Sequence, residues 1–141
     1  MKPQVKIAVV AAILIDHRYP KKVFIAERSD GSGWEFPGGK VNVNECHQDA
    51  LKREIREELD MEIEVAAWIG QSSVDVKEKK IVMDAYLAFC DRNKLVLNEH
   101  LQGKWIRAEE MCDFRWAPAD VPLLSAVEAY LMQGTIPVKP M

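Results

Sequence analysis

Residues 39–61 constrain this chain more than any other stretch: a Gly-Gly pair leads, past Glu45, into Arg53-Glu54-Ile55-Arg56-Glu57-Glu58-Leu59-Asp60-Met61. A helix turns by about 100° per residue, so Glu54, Glu57 and Glu58, at i, i+3 and i+4, share one face. Each pair of like charges at that spacing costs roughly a few tenths of a kcal/mol unless something offsets it. A hard divalent cation does so, because it prefers carboxylate oxygens. Ala50, Leu51, Ile55 and Leu59 fall on a separate apolar stripe, so one side of the helix can pack while the other holds metal. Glu-rich helices are also common as solvated faces laced with ion pairs, each worth about 0.3–0.5 kcal/mol. The spacing of the whole array and its glycine-rich lead-in separate the two readings.

That spacing resembles the Nudix box: Gly, five residues, Glu, seven residues, Arg-Glu, an aliphatic residue, any residue, Glu-Glu, any residue, Gly, an aliphatic residue. Gly39, Glu45, Arg53, Glu54, Ile55, Glu57, Glu58 and Met61 match, and Asp60 stands where the family has glycine. The family glycine ends the helix in a left-handed conformation, which Asp adopts more readily than most residues. The expected consequence is a modest loss of stability and an intact site.

The chain has 141 residues, with 19 Lys and Arg against 22 Asp and Glu, a formal charge of −3. Without a basic excess there is nothing to hold a nucleic-acid polymer, whereas a nucleotide needs only local cations. Cys46, Cys90 and Cys112 are odd in number and widely spaced, which suits a reducing compartment and forms no zinc pattern. No apolar run approaches the roughly 20 residues of a membrane span. The expected location is the cytoplasm, and the expected organisation is one domain over 1–141 with a loose tail at 134–141.

The apolar, β-branched run 5–15 predicts a central strand, and 23–27 a second short one. Two further strand-like stretches, 61–76 and 80–90, flank a charged hairpin turn at 77–80. Its lysines read as a solvated tip, with phosphate contact from Lys79 or Lys80 as the alternative. Residues 105–107 predict another strand, and 119–133 a closing helix ended by Gly134. Strands, an inserted helix, more strands and a last helix fit an α+β domain. The resemblance implies something more definite, a mixed sheet in an α/β/α sandwich.

It also implies water attack on a polyphosphate, assisted by Mg2+, with Mn2+ as a substitute. By position it assigns metal binding to Glu54, Glu57, Glu58 and the Gly38 carbonyl. Glu54 acts as ligand, general base or water-orienting group, and Arg53 fixes a neighbouring glutamate. Glu45 stands behind the metal ligands or interacts with the helix start through its charge. Gly38 and Gly39 let the backbone pass where a Cβ would obstruct.

Beyond the box, the chain resembles MutT-like enzymes, including cytidine-triphosphate pyrophosphohydrolases. The matching pieces are Ile25-Ala26-Glu27-Arg28, Trp34-Glu35-Phe36-Pro37-Gly38-Gly39-Lys40, Glu99-His100, Trp105 and Ala117-Pro118-Ala119-Asp120-Val121-Pro122-Leu123-Leu124. This implies a nucleoside-triphosphate substrate and a role in clearing unwanted nucleotides; the expected state is a monomer or homodimer. Glu99 becomes a further metal carboxylate, and Arg28, Glu35, Phe36, Pro37, Gly38, Lys40 and Asp120 become substrate contacts. Asp120 before Val121-Pro122 also reads as a helix N-cap. As a base reader it would accept from exocyclic amines, leaving oxidised guanine and cytosine open. Trp34, Trp105 and Trp116 offer stacking surfaces, with core packing the expected role for at least two of them. A Nudix hydrolase of another nucleoside diphosphate derivative, a silent nucleotide sensor and an acidic scaffold helix are the rival readings.

Overall fold

The apolar run at the start of the chain is continuous because both its faces are covered. In β1 (Val5–Asp16), Val10, Ala12 and Leu14 point one way and Ala11, Ile13 and Ile15 the other, and none is exposed. The computed structural model describes residues 4–134. β1 pairs antiparallel with β4 (Gly38–Lys40) on one side and parallel with β6 (Lys79–Cys90) on the other. β5 (Glu64–Val76) joins β6 antiparallel and completes a mixed sheet of order β4-β1-β6-β5. A smaller antiparallel sheet has β2 (Lys22–Glu27) between β3 (Trp34–Glu35) and β7 (Gln102–Arg107).

Two helices cover opposite faces of β1. Helix α1 (His47–Leu59) packs Ala50, Leu51, Ile55 and Leu59 against Val10, Ala12 and Leu14. Helix α2 (Leu124–Gln133) brings Val127 and Leu131 to the side of Ala11, Ile13 and Ile15. The apolar stripe expected of α1 is thus its buried face, and the α/β/α arrangement is the one implied by the resemblance.

Several boundaries differ from expectation. The closing helix starts at Leu124 rather than residue 119, after a single 3-10 turn at Val121–Leu123. Pro122 brings no N–H and disfavours helical backbone at Val121 before it. β5 begins at Glu64; Met61 and Ile63 are buried ahead of it, where the chain leaves α1. The hairpin turn is confined to Lys77 and Glu78, and Lys79 and Lys80 already belong to β6. α2 ends at Gly134, at φ 67°, with its N–H on the Tyr130 carbonyl at 2.8 Å. The rest of the expected loose tail lies outside the described residues. Among the described residues, no helix is long and apolar enough to cross a membrane.

Candidate active site

The site is assembled where α1 meets β4, and glycine permits the approach. A Cβ on Gly38 would be driven into the Val10 carbonyl, and one on Gly39 into the Glu54 carboxylate. Arg53 then ties helix to loop. Its Nε and Nη2 each bond Glu45 at 2.9 Å, Nη2 also reaches the Lys40 carbonyl at 2.9 Å, and Nη1 bonds Glu54 at 2.9 Å. Glu57 lies 3.5 Å from the same Nη1. One guanidinium therefore orders three carboxylates, a task its planar fork suits. Glu45 is held down at about 2 by Arg53 and by the Asn42 N–H. It does not cap the helix; Cys46 does, its sulfur accepting the Asp49 N–H.

The acidic face is graded in burial. Glu57 is about half exposed, Glu54 is partly buried, and Glu58 is only 5% exposed. Burial pushes Glu58 up to about 9, helped by the negative charges of Glu35, Glu54 and Glu99 and opposed by the Gly38 backbone N–H. Glu54 is also raised, chiefly by burial, with Arg53 working against it. Among the described residues, Glu58 Oε2 is buried with no hydrogen-bond partner, an arrangement costly for a carboxylate. Glu35 and His100 complete this wall. His100 Nε2 lies 2.9 Å from Glu35 and 3.9 Å from Glu58, while Arg28 Nη1 holds the other Glu35 oxygen at 3.0 Å. Donor atoms from Glu35, Glu58 and His100 lie within 4.8 Å of one another. An orphaned carboxylate oxygen inside an oxygen-rich donor set fits a divalent cation.

A cavity of about 690 Å³ opens over this wall. Gly38, Gly39, Glu58, Glu99, Arg28, Glu35, His100, Phe36, Trp116 and Asp120 are among its lining residues, so most of the expected contacts converge. Pro37, Lys40, Glu54 and Glu57 are not among its lining residues. Pro37 is buried with its carbonyl on the Ala12 N–H, and Lys40 is exposed with its carbonyl on Arg53.

Asp120 is 1% exposed and accepts the Phe36 N–H at 2.9 Å. It makes no side-chain cap bond, so the N-cap reading does not hold. Burial pushes it up to about 7, against the pull of the Phe36 N–H. Trp116 lies tilted against Phe36 at 5.1 Å between ring centroids. Trp34 packs on Phe114 and Trp105 on Phe24, away from the cavity lining. The sequence reading gave His100 no role; its place beside Glu99 was the available signal.

Comparison with known proteins adds one decisive observation to this geometry: the family model described as the NUDIX domain matches residues 5–128. This chain belongs to the Nudix family. As a Nudix hydrolase it is 38% identical over 127 residues to the CTP pyrophosphohydrolase of Escherichia coli, spanning 87% of this chain and 92% of that one. It is 30% identical over 99 residues to the 8-oxo-dGTP diphosphatase of Proteus vulgaris, spanning 67% of this chain and 87% of that one. Among solved structures, the E. coli ORF135 protein superposes with a TM-score of 0.77 at 36% identity, covering 90% of this chain and 91% of that one. The MutT protein of Methanosarcina mazei shares the fold at 22% identity and a TM-score of 0.76, with 95% and 99% covered.

Proposed function

We propose that this Nudix hydrolase is a magnesium-dependent, MutT-like nucleoside-triphosphate pyrophosphohydrolase that turns NTP and water into NMP and pyrophosphate. The observation that carries the reading is Glu58, a buried carboxylate with an orphaned oxygen among other carboxylates, on a cavity that also presents Phe36, Trp116 and Asp120. Glu54, Glu57, Glu58, Glu99 and the Gly38 carbonyl would hold the cation, Mg2+ or in its place Mn2+. When bound, the ion neutralises the polyphosphate and polarises its oxygens.

The remaining work falls to the side chains. Arg53 keeps Glu54 and Glu57 from splaying apart. Glu54, pressed against Gly39 and held by Arg53, orients the attacking water. A bond forms from water oxygen to phosphorus as the bond from that phosphorus to the bridging oxygen breaks; the water's proton passes to solvent, and NMP and pyrophosphate separate. Arg28, braced by Glu35, faces the phosphates. Asp120 accepts from the base: cytosine offers an amine at N4, and guanine offers N1 and N2 donors on its pairing edge. The relatives named for CTP and for 8-oxo-dGTP support both bases. The cellular role in this proposal is nucleotide-pool sanitation in the cytoplasm, by a monomer or homodimer.

A catalytically silent sensor would have no physical need for three mutually repelling carboxylates on one helix. The test is a panel of oxidised dGTP, dCTP, 5-methyl-dCTP and CTP with Mg2+, counting phosphate products. Pyrophosphate release that Glu57→Gln abolishes in a folded protein is expected. Orthophosphate alone, or equal turnover of ADP-ribose, would contradict the reading.

A further inference from the structure

The last four carbonyls of a helix have no partner within it. In α1 all four find donors, and three of those come from a single loop. The Arg56 carbonyl takes the Asp60 N–H at 3.0 Å, and the Leu59 carbonyl takes the Val96 N–H at 2.9 Å. The Glu58 carbonyl takes the Asn98 N–H at 2.9 Å, and the Glu57 carbonyl takes Asn98 Nδ2 at 3.0 Å. One asparagine thus grips the backbones of Glu57 and Glu58, and the next residue in the chain is Glu99. Glu99 is exposed, and among the described residues no hydrogen bond or ion pair holds its carboxylate. Its charge nevertheless reaches both Glu54 and Glu58. On its far side, the His100 side chain is 4% exposed and bonded to Glu35.

We infer that Asn98 is a positioning residue whose amide and backbone N–H set the register between the 91–101 loop and the end of α1, delivering Glu99 to the α1 carboxylates. The inference rests on the proposal that Glu99 joins the metal site, and it names what brings Glu99 there. A carboxylate–metal bond requires a ligand oxygen within about 0.2 Å of its preferred distance. An unanchored 11-residue loop would spread Glu99 far more widely. A main-chain and a side-chain donor on one residue reach two successive helix carbonyls, a geometry that alanine halves.

The experiment is a Mn2+ titration without nucleotide, following free Mn2+ by electron paramagnetic resonance. It uses the wild type, Asn98→Ala, Glu99→Ala and the double variant. Asn98→Ala should weaken Mn2+ binding about tenfold, in the range seen when a partner of a metal ligand is removed. Its metal-free melting temperature should shift by only a few degrees. Glu99→Ala should show a comparable loss, and adding Asn98→Ala to it should change nothing more, because nothing is left to position. A merely structural role would give additive losses in the double variant.

Additive losses, or Mn2+ affinity untouched by Asn98→Ala while Glu99→Ala lowers it, would overturn the inference. Affinity untouched by Glu99→Ala would remove both the Glu99 assignment and the inference, while the nucleotide panel still decides the pyrophosphohydrolase reading. A wild type that binds no Mn2+ would overturn the metal site and this inference together.

Discussion

Asp60 ends α1 at φ 55° and ψ 40°, the left-handed conformation that glycine adopts without penalty. Asp60→Gly should therefore raise stability by about 0.5–1 kcal/mol without changing turnover, measured by denaturant unfolding and steady-state kinetics. A loss of stability would show that the Asp side chain contributes something the backbone geometry does not reveal. Asp60 was legible in the sequence because helix termination is local. So was the acidic face, since a spacing of three and four residues places side chains together in any α-helix. Asp120 was not. Its position before Val121-Pro122 reads as a cap, yet its partner is the Phe36 N–H, 84 residues away. Asn98 and Pro37 fail for the same reason, because their roles depend on which distant backbone each one meets.

At the scale of elements, the loop that carries Glu99 is anchored at its beginning as well as beside α1. Asp16, at the end of β1 and 2% exposed, accepts three hydrogen bonds from Arg18 and one from the Arg92 N–H. Those contacts hold its carboxyl well below the usual carboxylate range. The Arg92 guanidinium lies over the rings of Tyr19 at 3.9 Å and Trp105 at 4.5 Å. A depressed carboxylate stabilises the fold above its unfolded pKa, near 4, and that contribution drains away as pH falls further. Asp16→Asn should cost about 1–3 kcal/mol at pH 7. The gap from wild type should narrow by pH 3 in urea unfolding; a gap independent of pH would refute the ionic account. The strand run of β1 was plain in the sequence because burial on both faces leaves no polar position from Val10 to Ile15. The two- and three-residue strands β3 and β4 were not, being too short for any period to register. The start of α2 was set by Pro122 and by the tie between Asp120 and Phe36, which a helical period ignores.

Over the whole molecule, the site works against the fold. Glu58 and Asp120 hold their protons up to about 9 and about 7, from ordinary values of 4.5 and 3.8. Because the unfolded chain releases those protons first, stability from these groups falls as pH rises from about 4 through 7 and on to 9. This is the opposite sign to Asp16. A fold under no functional demand would have no reason to bury Glu58 beside Glu35, Glu54 and Glu99. The whole-molecule layout was legible only through family resemblance, since composition and periodicity stop at an α+β class.

The most direct test is therefore the melting temperature of wild type and Glu58→Gln at pH 8, first with a chelator and then with about 10 mM Mg2+. With chelator, Glu58→Gln should melt higher than wild type, by a margin on the order of 1–3 kcal/mol, because the amide is neutral without the proton that Glu58, up at about 9, must take up on folding at pH 8. Mg2+ should then raise the wild type by about 2–5 °C and leave the variant where it was. Equal gains in both proteins, or a wild type indifferent to Mg2+, would contradict the claim that Glu58 is built to meet a cation.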